Sequence, residues 1–102
     1  MHLAYIACNG PKEAKKIALK LLEKRLIACA NILPKIESYY WWNGKIENSN
    51  EALLLCKTVK KNFSKIISVV KKIHSYETPC IEFLQILGQN KECKNWMESV
   101  LK

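Results

Sequence analysis

Arginine is nearly missing from this chain. Of seventeen basic residues only Arg25 is arginine, and the rest are lysine. Set against nine acidic residues, they leave a net charge of +8. Arginine's planar fork makes the bidentate contacts that read bases and clamp phosphates, whereas lysine is a hydrated point charge. The positive balance therefore reads first as a lysine-rich solvated surface, and only second as a nucleic-acid face. Long apolar runs are also missing. None approaches ~18 residues, which excludes a transmembrane helix and leaves no expected membrane partner. The start, Met1-His2-Leu3-Ala4-Tyr5, has no basic segment leading into an apolar stretch. No secretory signal is read there, and the expected compartment is cytoplasmic.

Catalytic signatures are absent as well. There is no G-x-S-x-G, no H-E-x-x-H and no phosphate-cradling P-loop. The turn Asn9-Gly10-Pro11-Lys12 lacks the arginine that an acylphosphatase would place there. Histidine is limited to His2 and His74. A nucleophilic pair of Cys29 and His74 can be drawn, but spacing does not establish that they meet. No enzyme is expected. The five cysteines, Cys8, Cys29, Cys56, Cys80 and Cys93, are odd in number and contain no C-x-x-C pair. A disulfide framework or zinc ribbon is therefore not expected. Cys56 and Cys93 fall in apolar patterns and read as small buried hydrophobes.

What is present is a globular composition, with 49% apolar residues, and a length that fits one domain over residues 1–102. Leu3 to Cys8 reads as a buried strand ending in a turn. Pro11 opens a helix to about Lys24, with Ala14, Ile17, Ala18, Leu21 and Leu22 in one stripe and Lys12, Lys16 and Lys20 opposite. Ile27 to Ile32 begins a second strand, and Pro34 marks an edge or bulge in it. Extended chain resumes from Ile36 to Trp42. Asn43-Gly44 then predicts a type I′ hairpin turn, because both residues tolerate positive φ. Asn48-Ser49-Asn50 reads as a bend, and Glu51 to Thr58 as a third strand covered on both faces. Asn62 or Ser64 is placed to cap a second helix, with Phe63, Ile66, Ile67, Val70 and Ile73 as its stripe. Cys80 to Leu87 is expected as strand four. A last helix, about Glu92 to Leu101, carries Cys93, Trp96, Met97, Val100 and Leu101 on one face.

This order predicts an α+β, ferredoxin-like βαββαβ sandwich with an extended central hairpin and a C-terminal helix. On the hairpin, Tyr40 and Trp42 share one face and Tyr39 and Trp41 the other. Aromatics on both faces call for a cover from outside the domain. An RNA-recognition module would stack bases on central-strand aromatics, but Leu53 to Thr58 holds none. Nucleic acid is therefore not expected. Thiolate and imidazole suit copper and zinc. A lone His such as His74, in a loop beside Tyr76 and Glu77, is more often a packing residue.

Several stretches together resemble the CutA-type divalent-cation tolerance family. They are Arg25-Leu26-Ile27-Ala28-Cys29-Ala30-Asn31-Ile32, Ser38-x-Tyr40-x-Trp42-x-Gly44-Lys45-Ile46-Glu47, Leu55-x-Lys57-Thr58, His74-x-Tyr76-Glu77-x-Pro79 and Trp96. The resemblance implies a non-enzymatic homotrimer, similar to the PII signalling proteins, with a role in copper and divalent-metal tolerance. It implies Cys8 and His74 as copper ligands, with Cys29 matching a second family cysteine. Ser75 stands where proline commonly follows the histidine, and Ile73 where some members carry another histidine; both argue for weak binding. Since strand one and helix two need not end close together within one subunit, the expected metal site lies between subunits. An alternative reading is a PII-like sensor of a small anionic ligand. Its clefts between subunits would involve Tyr40, Trp42, Lys57, Tyr76 and Glu77.

Overall fold

The computed structural model describes residues 1–102. Its elements are β1 (His2–Cys8), α1 (Pro11–Glu23), β2 (Cys29–Trp42), β3 (Lys45–Thr58), a 3-10 turn (Lys60–Asn62), α2 (Phe63–Ile73), β4 (Ile81–Gln85) and α3 (Lys91–Val100). The strands form one antiparallel sheet in the order β2-β3-β1-β4. This is the expected ferredoxin-like α+β architecture. No helix is long and apolar enough to cross a membrane.

Alternation sorts the sheet into two faces. Ala4, Ile6 and Cys8 of β1 lie opposite Cys56, Leu54 and Ala52 of β3, and all six are fully buried. The α1 stripe Ala14, Ile17, Ala18 and Leu21, with Ile66 and Val70 of α2, closes over them as one core. The other sheet face is more open: Tyr5, Leu33 and Leu84 are exposed.

α1 ends in a Schellman motif. Arg25 sits at φ 56, its N–H donates to Leu22 O, and Leu26 N–H donates to Leu21 O. Asn62 does not cap α2 as expected. Its side chain turns inward and donates to Leu26 O at 3.1 Å, and Thr58 Oγ1 donates to the same carbonyl at 2.7 Å. A buried carbonyl left without donors is expensive, so the residue serves that carbonyl instead.

The β2–β3 hairpin is longer than the sequence suggests. Asn48-Ser49-Asn50 does not bend; it pairs regularly with Tyr39, Ser38 and Glu37. The ladder of the partner strand overrides the weak strand preference of Asn and Ser. The two-residue turn is as read, with positive φ at Asn43 (51) and Gly44 (75). Because β1 reaches only to Ala52, the hairpin tip runs roughly 20–25 Å beyond the sheet. A register shift falls between Leu33 and Ile36, at Pro34, which has no N–H to give the ladder. Strand four is shorter than expected, because β1 offers it partners only from His2 to Ile6. Trp96 is 47% exposed rather than packed; Met97 is the α3 residue that is fully buried.

Candidate metal centre

β3 ends at Thr58, opposite His2, so α2 starts at the His2 end of β1 and runs back toward the Cys8 end. Its C-cap, His74, therefore arrives beside the end of β1. His74 Nε2 donates to Ala7 O at 2.9 Å. That bond leaves Nδ1 as the acceptor of the neutral ring. Nδ1 accepts the Tyr76 N–H at 3.1 Å and lies 3.4 Å from Glu13 Oε1.

Glu13 stands in the first turn of α1, which opens at Pro11 after Gly10, at φ 96. Gly10 has no side chain to cap the helix. Glu13 reaches back instead, as in half of a capping box, and Oε1 accepts the Asn9 N–H at 2.9 Å. Its Oε2 accepts the Ser75 N–H at 2.9 Å. Burial works against its ionisation, but bonds from the Ser75 side chain and from the Asn9 and Ser75 amides prevail. With the neighbouring His74, they hold the carboxyl below the usual carboxylate range.

Cys8 completes the group. Its sulfur, the Glu13 carboxylate and a His74 nitrogen all lie within 4.8 Å of one another. Its thiol donates to Ile6 O at 3.6 Å and is fully buried. Burial, then the negative charges of Glu13 and Glu51, push the thiol up to about 12. Tyr76 packs its ring against His74, with centroids 4.6 Å apart, and donates its hydroxyl to Glu51, which is 8% exposed. Burial, that hydrogen bond and the surrounding negative charge raise the Tyr76 pKa.

The structure thus brings Cys8 and His74 together within one chain, where the sequence pointed to a site between subunits. Cys29 does not join them. It pairs with Lys57, while Cys8 pairs with Ala52, five residues or about 17 Å away along β3 and on the opposite sheet face. Glu13 and Glu51 were missed by sequence reasoning. The available signal for Glu13 was an acid three residues after a glycine N-cap, which can face back toward the preceding loop. The cleft candidates are dispersed within the chain. Trp42 and Tyr40 lie on the hairpin opposite Lys45 and Glu47, Lys57 lies opposite Leu3 near the far end, and Glu77 is exposed. Only Tyr76 belongs to the Cys8 group, with Tyr40 near enough to raise its pKa.

The sequence model of the CutA1 divalent ion tolerance protein family matches residues 2–100. The divalent-cation tolerance protein CutA of Archaeoglobus fulgidus is 42% identical over 98 residues, 96% of this chain and 95% of that protein. Its counterpart in Thermotoga maritima is 40% identical over 102 residues, covering 99% and 100%. Among solved structures, the divalent cation tolerance protein of Thermus thermophilus superposes with a TM-score of 0.96 at 36% identity, over all of both chains. The Archaeoglobus fulgidus structure gives 0.95 at 41% identity, again over all of both chains, and is described as a periplasmic divalent cation tolerance protein. That description overturns the expectation of a cytoplasmic location, which rested only on the unremarkable first residues. Over nearly its whole length, in sequence and in fold, this chain belongs to the CutA1 divalent ion tolerance family.

Proposed function

We propose that this chain acts in divalent-cation tolerance by binding copper weakly and without catalysis. The site is Cys8, Glu13 and His74, and the chain works as a homotrimer. The observation that carries the reading is the convergence of sulfur, carboxylate and imidazole donors from three separate elements within 4.8 Å. The donor types fit a soft or borderline ion. Each donor is also engaged in a protein hydrogen bond: Cys8 with Ile6 O, Glu13 with Asn9 and Ser75, and His74 with Ala7 O and the Tyr76 N–H. Binding therefore requires Cys8 to lose its proton and His74 Nδ1 to give up the Tyr76 amide.

That requirement sets the selectivity. With the thiol at about 12, keeping Cys8 as thiolate at pH 7 costs about 7 kcal/mol, taking five units at about 1.4 kcal/mol each. Ions with strong affinity for thiolate recover this cost, and copper ranks high among them. Magnesium and calcium, which take oxygen donors, do not. Support for a trimer comes from the hairpin tip, where Tyr39, Trp41, Trp42 and Ile46 are 58–73% exposed. An apolar patch of that kind is seldom left uncovered.

Copper(I) titration in competition with a chromophoric chelator tests the site. We expect binding that weakens as pH falls, because a proton must leave Cys8. Cys8→Ser and His74→Ala should each weaken binding at least about ten-fold, as loss of one ligand bond does, with circular dichroism unchanged. Undiminished copper binding in the double variant would make the cluster structural.

A further inference from the structure

A second concave region lies at the other end of α2. It is a cavity of about 720 Å³ between the end of α1 and the start of α2. Lys24, Lys61, Lys65 and Lys102 line it, with Asn62 and Ser68, and no acidic residue does. The Arg25 turn places Lys24 at its rim, and the Lys102 N–H bonds to Arg25 O at 3.0 Å, which fixes Lys102 beside it.

This grouping is electrostatically unfavourable for the protein alone. Lys61 and Lys65 bring like charges to the same concave region, beside Ser68. Lys61 lies in the 3-10 turn and Lys65 in the first turn of α2, where the helix dipole is already positive and no acidic residue stands. The side chain that would cap those amides, Asn62, is committed to Leu26 O. No carboxylate lies within ion-pair distance of any of the four ammoniums; the only such contact of a basic side chain is between His74 and Glu13. Four exposed lysines without carboxylate partners and a hydroxyl therefore line a volume within the usual range for small ligands.

We infer that this lysine-lined cavity binds a small phosphate-rich anion, of the pyrophosphate or nucleoside polyphosphate class. Multiple phosphoryl oxygens match several separate ammonium groups. No aromatic side chain lines the cavity to stack a base, so the phosphate chain dominates recognition. The site is independent of the Cys8 cluster, which lies at the opposite end of α2.

Calorimetry with inorganic pyrophosphate, tripolyphosphate and ATP, each magnesium-free at moderate salt, tests this. We expect saturable binding of tripolyphosphate. Lys61→Gln/Lys65→Gln should weaken it about ten-fold or more, while Lys12→Gln/Lys16→Gln, on the exposed face of α1, should leave it within about two-fold. ATP binding equal to tripolyphosphate supports an inorganic or generic polyphosphate ligand; tighter ATP binding supports a nucleotide. Absence of binding at millimolar ligand overturns the inference, and so does an equal loss in both lysine pairs. Circular dichroism of the Lys61/Lys65 variant confirms that the fold is kept.

Discussion

Glu13→Gln is the substitution that tests whether the cluster at the end of β1 is held by charge. The carboxylate joins three segments: the Asn9 loop, the Ser75 loop and His74. Hydrogen bonds to a charged acceptor contribute about 1.5–3 kcal/mol each, about twice a neutral one. Glutamine keeps one acceptor oxygen and loses the charge, so we expect a loss of about 1–2 kcal/mol at pH 7. For a chain of this size that is a melting shift of about 4–16 °C. The pH dependence supplies the sharper test. The Glu13 carboxyl is held below its ordinary range in the folded state. Its stabilisation is therefore full above the unfolded value, near ~4.5, and is lost as pH falls through the lower folded value. Urea unfolding should be run at one protein concentration, because an assembled chain gains apparent stability with concentration. The gap between parent and variant should be open at pH 7 and should close progressively as pH falls below the unfolded value. Equal urea midpoints at pH 7 would refute the reasoning. So would a gap that survives undiminished in acid, which would point to shape rather than charge.

Two further outcomes follow from other contacts. Thr58→Val and Asn62→Ala should each cost about 1 kcal/mol, since either residue alone still serves Leu26 O; the double variant should cost more than their sum, because that carbonyl is then orphaned. Chemical denaturation of the four proteins reads this, and simple additivity counts against it. Trp42→Ala should weaken self-association more than Trp41→Ala, because Trp42 shares the open sheet face with Tyr40; native mass spectrometry at micromolar concentration reports it, and equal effects would contradict that face assignment.

The fold was largely legible because its signals are local. Asn43-Gly44 carries its own turn preference, and the α1 stripe repeats with helical period from Ala14 to Leu21. Asn48 to Asn50 was misread because a partner strand, not the residues themselves, keeps that segment extended. Trp96 was misread because its neighbour Met97, one step around the helix, takes the buried position. At the candidate site, Cys8 and His74 could be picked by type and by resemblance, but not paired in space. Their meeting depends on α2 running antiparallel to β3, a fact of topology and not of spacing. Glu13 and Glu51 carry no local signal that singles them out. Only the assembled fold shows that one faces the Ser75 loop and the other the Tyr76 hydroxyl.

The extra residue at the Pro34 bulge works as a phase inverter. Leu33 lies opposite Leu53, and Ile36 lies opposite Glu51, so two residues of β2 stand against the single Ala52. Before the bulge, odd-numbered side chains of β2 look toward the open face; beyond it, even-numbered ones do. The unbroken alternation of β3 and the Asn43-Gly44 turn set which rings the tip presents on that face, and the extra residue of β2 lets both Leu33 and Tyr40 pair in register with it. The aromatic run itself is indifferent, having rings on both sides. Deleting one residue at Pro34-Lys35 would remove the bulge and leave Tyr40 and Trp42 opposite Glu47 and Lys45, on the same face as before. The bulge is thus a place where β2 can change length while the aromatic tip keeps its aim toward whatever it meets.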